Sequence, residues 1–333
     1  MDEELLFRKI CKREIILAEH CSYNIGGEAN YFALPEKIDD LFFLIDYCYK
    51  YGLPFFIFGL GSNILFPDKV KKDYLFISIK KLIEIKNVNN RIFLSSGLPI
   101  SFLSIIGLIY KKEELLFTYL LPGCIGGGIY MNAKYKQNQI SDIIRNVYYI
   151  DIDGKKYNTI PVENCEFGYK NSIFQRKNYI IVGAEFKINI NLENYLIDKY
   201  KKLFDTKIDN LSNLKYFYSE ISKEIRVLDD DNNSIIKNIE MDRVNKKQFE
   251  YPSCGSVFKN NYSIGIPMGK IIEDLGLKGF SYGGAMISPY HGNIIINIGN
   301  AKANDVLYLI YKIQEKVYDK YNFIPELEVI IIQ

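Results

Sequence analysis

Glycine is distributed unevenly along the chain, and this constrains the fold more than any other feature. Two blocks are rich in glycine, near residues 59–133 and 252–300, whereas residues 191–245 contain neither glycine nor proline. Glycine-rich turns beside strands let the backbone approach a flat or charged ligand closely. The intervening stretch is rich in Lys, Asp, Asn and Leu, which indicates helices with a solvated face. The sequence therefore predicts an α+β protein in which residues 191–245 form a helical linker or insertion and not a site.

Hydrophobic periodicity predicts the main helices and strands. The predicted helices cover residues 36–51, 99–112, 267–275 and 306–321. The predicted strands cover residues 54–58, 75–79, 91–95, 147–152, 155–160, 179–190, 285–288, 293–298 and 327–332. Asp153 and Gly154 predict a two-residue hairpin turn, and the alternation over 179–190 predicts a half-buried strand. Gly52 and Gly276 are expected to end the helices that precede them.

Bulk composition excludes several classes of protein. The 333 residues carry a formal net charge of +2, which is too small to indicate nucleic acid or a membrane surface as partner. No apolar run reaches the roughly 18 residues that a membrane helix needs, and the N-terminus has no apolar signal core, so we expect a cytoplasmic protein. No obligate protein partner is indicated. Six scattered cysteines and two histidines predict free buried thiols and no metal site.

Two glycine turns are candidate phosphate sites. The first is Gly59-Leu60-Gly61-Ser62-Asn63, which follows a strand without opening a helix. Its backbone N–H groups can form a concave anion site, but a tight turn after a strand is the favoured interpretation of this motif taken alone, and it is not a Rossmann fingerprint. The second is 122–132, PGCIGGGIYMN, which is compatible with a mobile loop or with close approach to a cofactor. Together they favour one large phosphate-bearing cofactor.

Three later motifs carry chemical groups. Ser256 lies in a turn with Lys259 and Asn260, without the elbow or histidine spacing of a hydrolase triad. Lys278 and His291 flank a Gly-Gly turn, which suits a diphosphate-bearing substrate, although a lone histidine is commonly structural. Glu326 and Glu328 enter an apolar strand on one predicted face. A carboxylate in that position needs a partner or a function.

Six segments, taken together and in order, resemble the UDP-N-acetylenolpyruvoylglucosamine reductases, also called UDP-N-acetylmuramate dehydrogenases (the MurB family). They are NIGG at 24–27, GLGSNIL at 59–65, PGCIGGGIYMNA at 122–133, FGYKNSIF at 167–174, PSCGSVFKN at 252–260, and the run 279–329. The resemblance spans about residues 20–332 and matches poorly over 191–245. A short path between residues 174 and 179, without a tyrosine-bearing loop, resembles the second subclass of the family.

The resemblance implies a domain organisation. An FAD-binding module of the vanillyl-alcohol-oxidase (PCMH) type, made of two α+β subdomains, is expected over residues 20–190. A helical linker or insertion covers 191–245, and a C-terminal α+β substrate-binding domain covers 246–333. The implied activity is reduction of the enolpyruvyl ether of a UDP-sugar to UDP-N-acetylmuramate for peptidoglycan, with non-covalent FAD and with NADPH as hydride donor.

The resemblance also implies roles for individual residues. Ser256 is the expected proton donor, Glu328 the residue that stabilises or relays protons to the enol intermediate, and Lys170 a contact to flavin and substrate carboxylate. The expected FAD-binding residues are Gly59, Leu60, Gly61, Ser62, Asn63, Pro122, Gly123, Gly126, Gly127 and Asn132. The expected substrate-binding residues are Lys259, Asn260, Lys278 and His291.

This chain departs from the family pattern in two places. Lys170 stands where the family usually has arginine, which keeps the positive charge but loses the planar two-point fork. Residues 134–138, KYKQN, replace a Gly-Ala-Tyr-Gly-Gly loop.

Two alternative functions remain. One is an FAD oxidase of the same cofactor fold, with a thioether to Cys124. The other is a non-catalytic protein that binds flavin or UDP-sugar.

Overall fold

The computed structural model describes residues 3–208, 213–229 and 233–332. The helices are α1 Glu3–Ile10, α2 Ile38–Tyr51, α3 Phe102–Ile109, α4 Ile125–Tyr130, α5 Ile140–Ile143, α6 Asn194–Lys207, α7 Leu214–Leu228, α8 Ser234–Asn245, α9 Met268–Asp274 and α10 Ala303–Tyr321. The strands are β1 Cys11–Lys12, β2 Ile15–Ile16, β3 Glu28–Ala29, β4 Tyr31–Ala33, β5 Phe55–Phe58, β6 Ile64–Leu65, β7 Leu75–Ser78, β8 Ile85–Val88, β9 Arg91–Ser95, β10 Lys134–Tyr135, β11 Asn138–Gln139, β12 Ile144–Asp151, β13 Lys156–Pro161, β14 Tyr179–Phe186, β15 Ser253–Ser256, β16 Ser281–Tyr282, β17 Ala285–Ile287, β18 Ile294–Asn297 and β19 Ile330–Ile331. None of the described helices is long and apolar enough to cross a membrane.

Three sheets form the framework. The first, in the order β1-β4-β7-β5, has parallel pairing of β4 and β5 with β7. The second, β13-β12-β14-β9-β8, is antiparallel throughout, and so is the third, β15-β18-β17-β16. Helices lie beside these sheets, which is the α+β arrangement predicted from the sequence.

The helices predicted before Gly52 and Gly276 are confirmed as α2 and α9, and both glycines are left-handed, with φ of 64° and 69°. The helix predicted over 99–112 is shorter, since α3 covers only Phe102–Ile109. The predicted pair of strands around Asp153 and Gly154 is confirmed as β12 and β13. Their register joins Asp151 to Lys156, so the connection has four residues and the two-residue turn was wrong.

The burial predicted for β14 was wrong. Only Tyr179 is partly exposed, and the other seven of its eight residues are buried. They are buried because β14 lies in the centre of the second sheet and pairs with both β12 and β9. A central strand that is covered on both faces has no solvated side. Consecutive side chains are therefore all buried, and buried and exposed positions do not alternate. The last predicted strand, 327–332, is also shorter, because regular pairing covers only Ile330–Ile331.

The described parts of residues 191–245 are mainly helical, as expected, but they pack as part of the protein core. The buried faces of α6, α7 and α8 join one hydrophobic cluster with α3 and the second sheet, and Phe102 contacts Tyr200 and Phe204 with ring centroids 5.1 and 5.2 Å apart. A second cluster joins the N-terminal sheet to the third sheet and α10. All six cysteines are buried and free, as predicted.

Candidate active site

A cleft of about 370 Å³ lies where the two glycine turns meet the segments around residues 170, 256 and 328. This volume is within the range of small-molecule and cofactor sites. It is lined by all three predicted catalytic residues, Lys170, Ser256 and Glu328. It is also lined by nine of the ten predicted FAD-binding residues, namely Gly59, Leu60, Gly61, Ser62, Asn63, Pro122, Gly123, Gly126 and Gly127.

The two glycine turns contact each other across one side of the cleft. A Cβ atom at Gly59 would lie 2.0 Å from the sulfur of Cys124, and a Cβ at Gly123 would lie 2.8 Å from Oγ of Ser62. Gly123 also has a φ of 114°, which L side chains rarely adopt. Neither position can therefore carry a side chain without displacing the other turn.

The backbone of these turns fits FAD. Glycines from both turns line the cleft, so the backbone can approach a bound diphosphate closely. Apolar side chains continue the wall beside them, and Ile79, Ile100, Ile180 and Ile181 line the same cleft. An apolar wall next to a phosphate cradle suits a flat ring system joined to a diphosphate.

The C-terminal strand fixes Glu328 beside the first glycine turn. β19 pairs in parallel with β6, and the backbone N–H of Ile330 donates to the carbonyl of Asn63 at 3.0 Å. The side-chain amide of Asn63 donates to the carbonyl of Glu328 at 2.9 Å. The N–H of Glu328 donates to the carbonyl of Val257 at 2.8 Å, and this bond places Glu328 beside the residue that follows Ser256.

Lys170 and Glu328 form a largely buried ion pair. Lys170 Nζ lies 2.5 Å from Glu328 Oε1, and the two side chains are only 15% and 12% exposed. Burial raises the pKa of the Glu328 carboxyl above its ordinary value, against the opposing effect of the Lys170 and Lys259 charges. A carboxyl group whose pKa is raised holds a proton more readily than a solvent-exposed one, as a group that takes part in proton transfer must.

Ser256 ends β15 and faces the same cleft. β15 pairs with β18 through Ser253 and Ser256, with an irregular register between them. The preceding Gly255 has a φ of 75°. This irregularity replaces regular alternation, and Cys254, Gly255 and Ser256 all line the cleft.

Asn132, the tenth predicted FAD-binding residue, is a buried support that does not line the cleft. Its side chain is 1% exposed, donates to the carbonyl of Gly168 at 2.9 Å and accepts from the N–H of Ser141 at 3.2 Å. Gly168 pairs with Asn171 in the tight turn that contains Lys170. Asn132 therefore connects the second glycine turn to the turn that presents Lys170.

The four predicted substrate-binding residues lie outside the lining of the cleft. Lys259 pairs with the exposed Glu326, so the two glutamates expected on one face have unlike surroundings. The side-chain oxygen of Asn260 accepts from the N–H of Met268 at 2.9 Å, which caps α9. The N–H of Asn260 donates to the hydroxyl of Tyr169 at 3.1 Å.

Lys278 and His291 lie near each other in the third sheet region, away from the cleft lining. Lys278 Nζ is 3.6 Å from a carboxylate oxygen of Glu273. Burial, with a smaller effect from the Lys246 and Lys278 charges, lowers the pKa of His291 to about 4. The backbone N–H of Asn293 donates to Nδ1 of His291 at 3.3 Å, so the imidazole is a neutral acceptor at this nitrogen.

Several polar residues that the sequence analysis did not select also line the cleft. Among them are Tyr135, in the hairpin that departs from the family pattern, and Arg243 and Gln248, in and just after α8. Arg243 lies in the segment expected to hold no site residue. No local pattern distinguishes it, because α8 is rich in polar residues and only packing shows which of them is buried.

Two family models match the chain. The C-terminal domain of UDP-N-acetylenolpyruvoylglucosamine reductase matches residues 247–332, and an FAD binding domain matches residues 29–159. The chain is 36% identical to the UDP-N-acetylenolpyruvoylglucosamine reductase of Borrelia garinii subsp. bavariensis, over 95% of this chain and 91% of the relative. It is 35% identical to that of Borreliella burgdorferi, over 95% of this chain and 92% of the relative.

Among solved structures, the UDP-N-acetylenolpyruvylglucosamine reductase (MurB) from Thermus caldophilus superimposes with a TM-score of 0.67, covering 97% of this chain and 99% of that chain. Its sequence is 22% identical to this one, so the match concerns the fold. Together with the FAD-binding match, it confirms the predicted fold class of a PCMH-type FAD module followed by a C-terminal domain.

Proposed function

The chain belongs to the UDP-N-acetylenolpyruvoylglucosamine reductase family, and we infer that it reduces the enolpyruvyl group of a UDP-sugar to UDP-N-acetylmuramate. It is a flavin-dependent oxidoreductase of peptidoglycan precursor synthesis, and its cofactor is FAD. The observation that carries this conclusion in the structure is the convergence of both glycine turns with Lys170, Ser256 and Glu328 on one cleft.

FAD, when bound, supplies the hydride-transfer chemistry of the reaction. The two glycine turns would hold its diphosphate, and the isoleucine wall would contact its ring system. We propose NADPH as the hydride donor, a cytoplasmic location, and small molecules as the only partners the reaction needs. Residues 20–190 are proposed as the FAD module and 246–333 as the substrate domain.

The reaction adds a hydride and a proton across the enolpyruvyl double bond. Hydride addition at the terminal carbon leaves negative charge on the adjacent carbon and its carboxylate. We propose that the Ser256 hydroxyl donates the proton to that adjacent carbon. Glu328, whose pKa is raised by burial, is proposed to stabilise the enol intermediate or to relay protons, so that Ser256 regains the proton that it gives up. Lys170 balances the charge of Glu328 and of the substrate carboxylate.

The buried thiol of Cys124 supports non-covalent binding of FAD. Its side chain is 1% exposed, and burial raises its pKa above the ordinary value. A thiol with a raised pKa is a poor nucleophile, so this residue is a poor candidate for the thioether that an oxidase of the same cofactor fold would need. The presence of Ser256 and Glu328 in one cleft disfavours a protein that only binds flavin or UDP-sugar.

Replacement of Ser256 by alanine tests the proposed proton donor. We expect FAD content and the rate of flavin reduction by NADPH to stay within about twofold, because the hydroxyl takes no part in that step. Reoxidation by the enolpyruvyl substrate should slow by about 10²- to 10⁴-fold, the usual contribution of a general acid. Rapid-mixing absorbance measurements follow each half-reaction separately.

Ser281→Ala is the matched control, because Ser281 is an exposed serine in the same C-terminal region. Unchanged reoxidation in Ser256→Ala would remove Ser256 from the proton transfer. A wild-type protein that NADPH reduces but the enolpyruvyl sugar does not reoxidise would contradict the proposed substrate.

A further inference from the structure

Arg243 is buried in the cleft although it comes from a polar helix. It lies in the last turn of α8, is 8% exposed and lines the same cleft as Lys170, Ser256 and Glu328. It also lies in the stretch 160–246, which falls between the two family-model matches. Arginine is rarely this buried unless it has a partner.

The guanidinium of Arg243 is held on two sides. Nη1 donates to Oε1 of Gln248 at 2.6 Å, and the guanidinium carbon lies 5.0 Å from the centroid of the Tyr135 ring, within the range of a cation–π contact. The Tyr135 hydroxyl donates to Oδ2 of Asp242 at 3.2 Å. Gln248 and Tyr135 therefore fix the position of the guanidinium in the cleft.

The rest of the guanidinium lacks a partner of opposite charge. Nε is buried and has no hydrogen-bond partner. Within the described parts of the chain, no carboxylate lies within ion-pair distance of Arg243, whereas the neighbouring Asp242 is paired with Lys246 at 2.9 Å. Lys170, in contrast, has a carboxylate partner in Glu328.

A buried cation without a counter-ion is costly. The desolvation penalty is recovered only when a well-placed anion satisfies the charge and its donors. The C-terminal end of α8 contributes a partial negative charge, and the Gln248 oxygen satisfies one donor, but Nε stays unsatisfied. A ligand oxyanion in the cleft would supply both the charge and the acceptor.

We propose that Arg243 binds an oxyanion of the UDP-sugar substrate, with Gln248 and Tyr135 as its positioning residues. This inference rests on the proposed function, because that function defines the ligand of the cleft. Arginine offers a planar pair of donors that matches a carboxylate or a phosphate. Arg243 thus brings a second cation to the cleft, in addition to Lys170.

Two groups of the substrate have this chemistry: the diphosphate and the enolpyruvyl carboxylate. Binding of three ligands to the FAD-loaded protein distinguishes them by calorimetric titration. UDP and UDP-N-acetylglucosamine carry the diphosphate alone, and the enolpyruvyl substrate carries both groups. If Arg243→Gln weakens all three, the oxyanion is the diphosphate; if it weakens only the enolpyruvyl substrate, the oxyanion is the carboxylate.

In either case the affected ligands should bind roughly 10- to 100-fold more weakly, the effect of losing a charge-assisted hydrogen-bonded contact. Arg243→Lys, which keeps the charge and the stem, should show a smaller loss and guards against misfolding of the glutamine variant. Arg226→Gln is the matched control, because Arg226 lies on α7 of the same helical segment, is 70% exposed and pairs with Glu240. It should bind all three ligands as the wild type does.

The proposal is overturned if both Arg243 variants keep FAD and bind the three ligands with wild-type affinity. It is also overturned if the variants lose FAD in preference to the UDP ligands, since Arg243 would then contact the cofactor. Failure of the proposed function looks different, because the wild-type protein itself would then show no binding of the enolpyruvyl substrate.

Discussion

Replacing Lys170 by methionine tests whether the charge of Glu328 depends on the ion pair in the cleft. Methionine keeps most of the length and volume of the lysine stem but removes its charge. The substitution leaves the Glu328 carboxylate, only 12% exposed, without the cation now 2.5 Å away. Breaking a buried pair in this way typically costs about 3–5 kcal/mol.

Glu328 can avoid part of that cost by taking up a proton. Its ordinary pKa is 4.5, so holding the carboxyl neutral at pH 7 costs about 3.4 kcal/mol, at about 1.36 kcal/mol per pH unit. The loss of stability is therefore limited to about 3 kcal/mol at pH 7. Above pH 4.5 the folded variant binds more protons than its unfolded chain, so the loss grows as pH rises and disappears as pH falls toward 4.5.

Urea unfolding of the FAD-saturated proteins at pH 5 and pH 7 measures this difference. Because the wild-type carboxyl also has a raised pKa, the loss caused by Lys170→Met should be smaller at pH 5 by at most about 2.5 kcal/mol. The double variant Lys170→Met/Glu328→Gln should regain most of the stability at pH 7, because no charge is left unpaired. An equal loss at both pH values, or a double variant as unstable as the single one, would refute the reasoning.

Three further predictions concern other parts of the site. Lys170→Arg should keep or raise the rate of substrate reduction, because arginine keeps the charge and adds a second donor; a large loss in steady-state assays would mean that the site is built around lysine. Gly59→Ala should weaken FAD binding about tenfold or more, because the new Cβ would lie 2.0 Å from the Cys124 sulfur. A fluorescence titration with FAD measures this loss. The control variant Gly52→Ala, whose Cβ meets nothing within 4 Å, should bind FAD with normal affinity. His291 has a pKa lowered from 6.5 to about 4, so the free energy of unfolding should fall by about 3 kcal/mol as pH falls through this window. In urea unfolding at pH 6.5 and pH 4, the His291→Asn variant should lose correspondingly less stability than the wild type. An identical pH dependence in both proteins would show that His291 is not buried as a neutral group.

The sequence predicts the local geometry of the site well. The two glycine turns were found from residue type and spacing alone, and the structure brings them together because Gly59 and Gly123 leave room for the opposite turn. The bounds of α2 and α9 follow from apolar spacing and from glycines with left-handed φ. These signals depend only on neighbouring residues, so they can be interpreted without knowledge of the tertiary fold.

Features that depend on long-range packing could not be predicted in the same way. The burial of β14 results from its central place between β12 and β9, which no alternation within the strand reports. The burial of Arg243 results from packing of α8 against the hydrophobic cluster that includes α3 and the second sheet. In sequence, this arginine resembles the exposed Arg226 of the same segment.

The predicted substrate-binding residues illustrate a related limit. Lys259, Asn260, Lys278 and His291 were selected because they match family positions, and the structure gives three of them protein partners outside the cleft lining: Glu326 for Lys259, Met268 for Asn260 and Glu273 for Lys278. Their roles toward the substrate stay predictions. Contact between these residues and a UDP-sugar would require the ligand to extend beyond the cleft toward the third sheet.

The visible absorbance spectrum of the purified protein tests the central claim most directly. The account predicts the bands of oxidised flavin, their loss on anaerobic addition of NADPH, and their return when the enolpyruvyl UDP-sugar is added. These three spectral changes, observed in one sample, would establish the cofactor, the hydride donor and the hydride acceptor. A colourless protein that takes up no added FAD, or a reduced flavin that only oxygen reoxidises, would contradict the account.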